Sequence, residues 1–156
     1  MPEVGLFETM LVSVTGDTSG WTAVEYAARV AHDEGAHLTG IHVMTDNARR
    51  ESTLEENIRS TFDQICRSYA VKHSFEIERG DVTDIINNRA KWNDLLVLRL
   101  AYPPPLSFLR RFGSGLRYLL RNLSSPVLAV PPGSRISYHK ILLAYGAGSK
   151  ADQALY

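Results

Sequence analysis

Cysteine occurs once in the 156 residues, at Cys66. A lone cysteine forms no internal disulfide and offers no cysteine partner for a structural zinc site, so neither staple is available to this fold. Long apolar runs are missing too. None approaches the ~20 residues needed to cross a bilayer, and Met1 to Phe7 lacks the basic start and apolar core of a secretory leader. The expectation is a cytoplasmic chain without membrane insertion. Acidic residues vanish from one long stretch: no Asp or Glu stands between Asp94 and Asp152. Residues 1–94 carry a net −7 and residues 95–156 a net +7, cancelling to zero. The asymmetry fits a dipolar surface that serves solubility or self-association. It also fits a basic pole with Arg99, Arg110, Arg111, Arg117 and Arg121 as its densest part. A net charge of zero argues against an extended nucleic-acid surface.

What is present suits one globular domain, with 44% apolar and 22% charged residues and a mean hydropathy of −0.15. A chain of this length buries roughly 70% of its unfolded surface. Met10 to Val14 is a short apolar run that ends in the turn chemistry of Thr15 to Gly20. Trp21, Val24, Ala27, Ala28 and Ala31 recur at helical spacing, predicting a helix from Trp21 to about Glu34 that Gly35 terminates. Leu38 to Met44 reads as a second strand. Leu54, Ile58, Phe62, Ile65 and Tyr69 form one stripe of an amphipathic helix running to about Ala70. Ser74 to Glu78 alternates as a third strand, Gly80-Asp81 opens a helix from Val82 to Trp92, and Leu95 to Leu98 is a buried fourth strand.

Tyr102-Pro103-Pro104-Pro105 cannot be regular helix and redirects the chain. Ser107 to Phe112 suits a helical turn, Gly113-Ser114-Gly115 breaks it, and Leu116 to Leu123 reads as a helix capped by Ser114. Pro126 to Val130 is the fifth strand. Strands alternate with helices throughout, which predicts a doubly wound α/β sheet with right-handed crossovers. Ligands in such sheets sit beyond the strand C-termini near the switch point. After residues 1–132 comes a linker over 133–139, and residues 140–156 start the pattern again: Ile141, Leu142 and Leu143 fall on Met10, Leu11 and Val12 at an offset of 131 residues. The repeat reads as the truncated start of a second copy, or as a degenerate swapped strand.

No catalytic constellation emerges. His32, His37, His42, His73 and His139 include no pair with helical metal-site spacing beside a carboxylate. His42, inside a strand, suits an imidazole with a backbone partner. Asp81 and Asp84 bracket a helix start and favour capping, Glu55-Glu56 sits on a solvent face, and Cys66 beside the apolar stripe reads as a small buried hydrophobe. Gly146 to Lys150 lacks the order of a phosphate-binding loop, and Gly113-Ser114-Gly115 lacks the spacing of a nucleophile elbow. The expectation is a protein that is not an enzyme and holds no metal.

Several segments together resemble the universal stress protein family. They are Met10-Leu11-Val12-Ser13-Val14 with Gly16, Gly35 to Val43, Asp94-Leu95-Leu96-Val97, and Gly113-Ser114 followed by Ser125 to Pro131. The start of the second copy, Leu142 to Leu155, is similar to the family's tandem form. The resemblance implies a five-stranded, mostly parallel α/β domain of strand order 3-2-1-4-5 that dimerises through its last strand. Members of the family that bind ATP carry Gly-x2-Gly-x9-Gly-Ser/Thr after strand four, where glycines let the backbone approach the phosphates. Counting back from Gly113 puts Leu100 and Pro103 at the first two glycine positions, or Arg99 at the first if one residue is inserted. Only Gly113 and Ser114 remain. The acidic residue that ends strand one in ATP-binding members corresponds to Thr15, and Val43 keeps the position that lines the adenine.

The resemblance therefore implies a stress-response regulatory or protein-interaction module that is a homodimer, engages a protein partner and holds neither ATP nor another cofactor. The alternative is a sensor that binds a nucleotide or other phosphate anion through Gly113-Ser114 and neighbouring arginines. Its candidate residues are Thr15, Gly16, Val43, Arg110, Gly113, Ser114, Gly115 and Arg117. A third reading is a soluble regulatory domain of a larger membrane or signalling protein.

Overall fold

The computed structural model describes residues 5–44, 52–100, 121–123 and 125–135. Its elements alternate in chain order: β1 (Thr9–Ser13), α1 (Thr18–Glu34), β2 (His37–Met44), α2 (Ser52–Ser68), β3 (His73–Arg79), α3 (Val82–Ala90), β4 (Leu95–Arg99) and β5 (Val127–Val130). Among the described residues the strands form one sheet of order β3-β2-β1-β4-β5, and every pairing in it is parallel. The sheet is therefore the doubly wound one predicted from the alternation, and its switch point lies between β1 and β4.

Strand alternation divides the core in two. Met10, Val12 and Val14 from the first strand and Leu95 and Val97 from β4 face α1 and α2, packing with Ala23, Val24, Ala27, Ile58 and Phe62. Leu11, Leu96 and Leu98 face the opposite way and meet Ile86 and Ala90 of α3. Both faces of the central strands are thus covered, which is why they are almost wholly apolar. At Gly40 of β2 the Phe62 ring of α2 lies against the strand: a Cβ there would lie 2.6 and 2.7 Å from ring atoms of Phe62 and 2.9 Å from Phe75.

Several boundaries differ from the sequence expectations, each for a local reason. Helix α1 starts at Thr18 and not at Trp21, because the Asp17 carboxylate caps it by accepting from the Gly20 amide at 2.7 Å. Gly35 ends it in a left-handed conformation, φ +69°, as expected. Leu54 does not join the buried stripe of α2 and is 49% exposed, whereas Cys66 does and is fully buried. Glu55 is not on a solvent face: it lies half-buried and pairs with Arg79 at 3.5 Å. Helix α3 ends at Ala90, leaving Trp92 outside it and 84% exposed. Asp81 caps α3 by accepting from the Thr83 and Asp84 amides.

At the opposite end of the sheet from the switch-point crevice, Asp94 holds the starts of β1 and β4 together. One of its carboxylate oxygens accepts from the amides of Glu8 and Thr9, both at 2.9 Å, and from the Thr9 hydroxyl at 3.1 Å. After β5 the chain turns at Pro131–Ser134, and the Tyr26 hydroxyl of α1 donates to the Arg135 carbonyl. The helical turn expected at Ser107 to Phe112, most of the helix expected at Leu116 to Leu123, and the second copy expected over 140–156 lie outside the described residues. No described helix is long and apolar enough to cross a membrane.

Candidate functional site

Parallel strands that end at the same level leave a crevice where neighbouring crossovers diverge, here beyond the C-termini of β1 and β4. On the β1 side the chain leaves through Val14, whose amide bonds to the Ile41 carbonyl at 2.8 Å. The His42 ring meets the Val14 carbonyl through Nδ1 at 2.8 Å, the backbone partner its place in a strand suggested. Gly16 follows with φ +80°, a conformation that favours glycine. A Cβ on Gly16 would lie 2.9 Å from Cδ1 of Ile58, so α2 already fills the space beside this turn.

Asp17 comes next and is heavily used. Its Oδ1 accepts from the Gly20 amide, from the Ser19 hydroxyl at 3.0 Å and from the Thr15 hydroxyl at 3.3 Å. Its Oδ2 faces Nη1 of Arg99, the last residue of β4. Arg99 continues the row of Leu95 and Val97, so the strand's own alternation directs its side chain toward α1. The pair therefore bridges the crevice from the helix cap to the strand end. Burial pulls the Asp17 carboxyl upward, but the Gly20 amide, the Ser19 hydroxyl, Arg99 and the Thr15 hydroxyl together outweigh it and hold the group below its ordinary value.

The energetics of the bridge are mixed. The two side chains retain 24% and 51% exposure, so their attraction contributes about 0–1 kcal/mol, and the cap contributes about 1 kcal/mol more. Against this, Nε of Arg99 is buried and meets no acceptor among the described residues. A buried donor left in that state costs about 1–3 kcal/mol. Among the described residues the guanidinium is held at one corner only.

The structure places three of the sequence-derived site residues. Thr15 and Gly16 lie at the crevice, Thr15 spent on Asp17 and Gly16 packed beside Ile58. Val43, near the end of β2, is partly buried and packs against the cluster of Leu11, Ile41 and Ile86 on the α3 face. Arg110, Gly113, Ser114, Gly115 and Arg117 lie outside the described residues. Asp17 was missed as a site residue because its surroundings read as turn chemistry. Its signal was a carboxylate three residues before Gly20 at a helix start. Arg99 was read as part of a basic pole; the structure neutralises it with Asp17.

Other titratable groups are structural. His73 meets the Val71 carbonyl through Nδ1 at 2.9 Å and Asp63 through Nε2 at 3.3 Å. Burial, with the Asp63 charge adding to it, pushes the Cys66 thiol up to about 12, which makes it inert. Arg89 of α3 bridges Glu76 and Glu78 of the edge strand β3, and Arg59 donates to the Phe75 carbonyl at 3.2 Å. These contacts guard that edge against strand addition. Among the described residues no group of three His, Cys, Asp or Glu side chains could hold a metal ion.

The fold and crevice define an open, doubly wound α/β domain of the kind that presents small ligands at the switch point of a parallel sheet. The Universal stress protein family model matches residues 6–131, and the chain belongs to that family. Among the solved structures similar to it are these three. A universal stress protein in complex with cAMP is 20% identical, with a TM-score of 0.68 over 80% of this chain and 97% of that one. The Archaeoglobus fulgidus universal stress protein in complex with dAMP is 16% identical, with a TM-score of 0.61 over 80% and 98%. An Arabidopsis thaliana family member with AMP bound is 17% identical, with a TM-score of 0.57 over 81% and 93%. At these identities the likeness establishes the fold. No curated protein matches the chain in sequence.

Proposed function

We propose that this universal stress protein is a regulatory, protein-interaction module whose nucleotide crevice is closed by its own side chains, and that it is not an enzyme. The observation that carries the reading is the Asp17–Arg99 pair, which bridges the β1 and β4 ends at the switch point; three structural neighbours of this fold are solved with cAMP, dAMP and AMP. Two features add support. Gly16 has Ile58 against it, and Pro103 to Pro105 remove three backbone donors from the segment that cradles phosphates in ATP-binding members. The module works as a homodimer, and the outer edge of β5, which has no strand partner among the described residues, is the surface offered for it.

The test is isothermal titration of the purified chain with ATP and magnesium, at low and moderate salt. The expected result is no binding heat and an unshifted melting temperature. Micromolar binding overturns the reading. It then favours the sensor alternative, whose specific support is the buried Nε of Arg99 with no acceptor among the described residues, and a steep loss of affinity with salt identifies charge as its source.

A further inference from the structure

We propose that the Asp17–Arg99 pair is an autoinhibitory contact: Asp17 is an intramolecular stand-in for a phosphate-type oxyanion, and Arg99 is the group that would receive that anion once Asp17 is neutralised. The inference rests on the reading of the crevice as self-closed and says what closes it and against which ligand class.

Three observations carry it. Asp17 does not need Arg99 for its structural task, because Oδ1 alone takes the Gly20 amide and the hydroxyls of Ser19 and Thr15. Oδ2 is the oxygen that meets Arg99, and among the described residues it meets only Nη1. Meanwhile Nε of the same guanidinium is buried without an acceptor among the described residues. A guanidinium is a planar fork that pairs best when two neighbouring N–H groups meet two oxygens of one anion. One carboxylate oxygen at one corner leaves that capacity unused. An oxyanion with several equivalent oxygens could serve Nε and an Nη together, and would replace a single bond by two. What excludes it is charge: any anion that reached Arg99 would lie beside the Asp17 carboxylate.

Asp17→Asn separates cap from charge, since asparagine caps a helix about as well as aspartate while carrying no charge. The probe is inorganic pyrophosphate, titrated by calorimetry at low salt into the wild-type chain, D17N and the double variant D17N/R99Q. Thermal melts establish that each is folded. The expected result is no measurable binding to wild type, an affinity at least about tenfold above the wild-type detection limit for D17N, and loss of that gain in D17N/R99Q. A folded D17N that titrates like wild type overturns the inference and leaves the self-closed reading intact. A gain that survives in D17N/R99Q overturns it as well, because the anion then sits elsewhere. Tight binding to wild type overturns the self-closed reading itself.

Discussion

Replacing Gly40 by alanine tests how α2 is seated on the sheet, and its cost can be worked from distances. Gly40 sits in β2 with no positive φ, so alanine is allowed by the backbone and gains roughly 0.5–1 kcal/mol from a less flexible unfolded chain. The new Cβ would stand 2.6 and 2.7 Å from two ring carbons of Phe62 and 2.9 Å from one of Phe75, against ordinary carbon contacts of about 3.5–4.0 Å. The rings must retreat by about 1 Å. Neither has room: Phe62 is fully buried, with its ring 5.1 Å from that of Phe75 and edge-on to His73 at 5.8 Å. Overpacking of this kind costs roughly 1–3 kcal/mol. The entropic gain offsets part, leaving a net loss of about 1–2 kcal/mol and a fall in Tm of roughly 2–8 °C for a chain of this size. Urea titration and thermal circular dichroism of G40A measure it. The second arm is Phe62→Leu, which removes the ring atoms that clash. G40A should cost at least about 1 kcal/mol less in that background than in wild type. If G40A is as stable as wild type, or costs the same with leucine at 62, the steric account is wrong.

Two further outcomes follow from the carboxylates and from the sheet edge. Asp94 lies below its ordinary value because the Thr9 amide binds its charged form; burial opposes this and the Glu8 amide and Thr9 hydroxyl reinforce it, while Asp17 is lowered as described above. Both groups bind protons less readily in the folded chain than in the unfolded one, so their stabilisation is fully present above the ordinary aspartate value of about 3.9 and is lost as pH falls through the lowered folded values. Tm measured from about pH 6 to pH 2.5 should fall steeply below pH 4, and less steeply in Asp94→Asn; equal slopes would refute the assignment. Light scattering at tens of micromolar should return twice the chain mass if the β5 edge pairs two copies. A strict monomer removes the dimer from the proposed function.

The alternation of strands and helices, and with it a parallel doubly wound sheet, is legible because it depends on features that a single sequence records directly: apolar runs such as Leu95 to Leu98, the helical spacing of Val24, Ala28 and Ala31, and stops such as Gly35; the strand order itself follows from the family resemblance. Boundaries were legible where one residue decides them locally, as Asp81 does for α3. They were missed where a side chain acts in two frames at once. Asp17, within a Thr-Gly-Asp-Thr-Ser-Gly segment, looks like turn chemistry, and the same carboxylate that could close a turn instead caps a helix three residues earlier than the apolar pattern begins. Leu54 fits the stripe of α2 by spacing, yet it lies in the first turn of the helix, short of the buried stretch from Ile58 to Cys66. Spacing gives the face of a helix but not where along its length the covering layer starts.

The crevice was less legible than the fold because its defining contact joins residues 82 positions apart. Arg99 read from sequence is a charge at the end of an apolar run in a basic half of the chain; only the parallel pairing of β1 with β4 brings it over the start of α1. Once there, its meaning inverts. The half of the chain with a single acid, Asp152, places its first cation against an acid from the other half, and the local charge of the crevice is cancelled rather than concentrated. A phosphate entering such a site would gain nothing from net charge until one member of the pair changed state. The bridge commits the Arg99 guanidinium, at the end of β4, to an internal partner, so an incoming anion must compete with the Asp17 carboxylate for it.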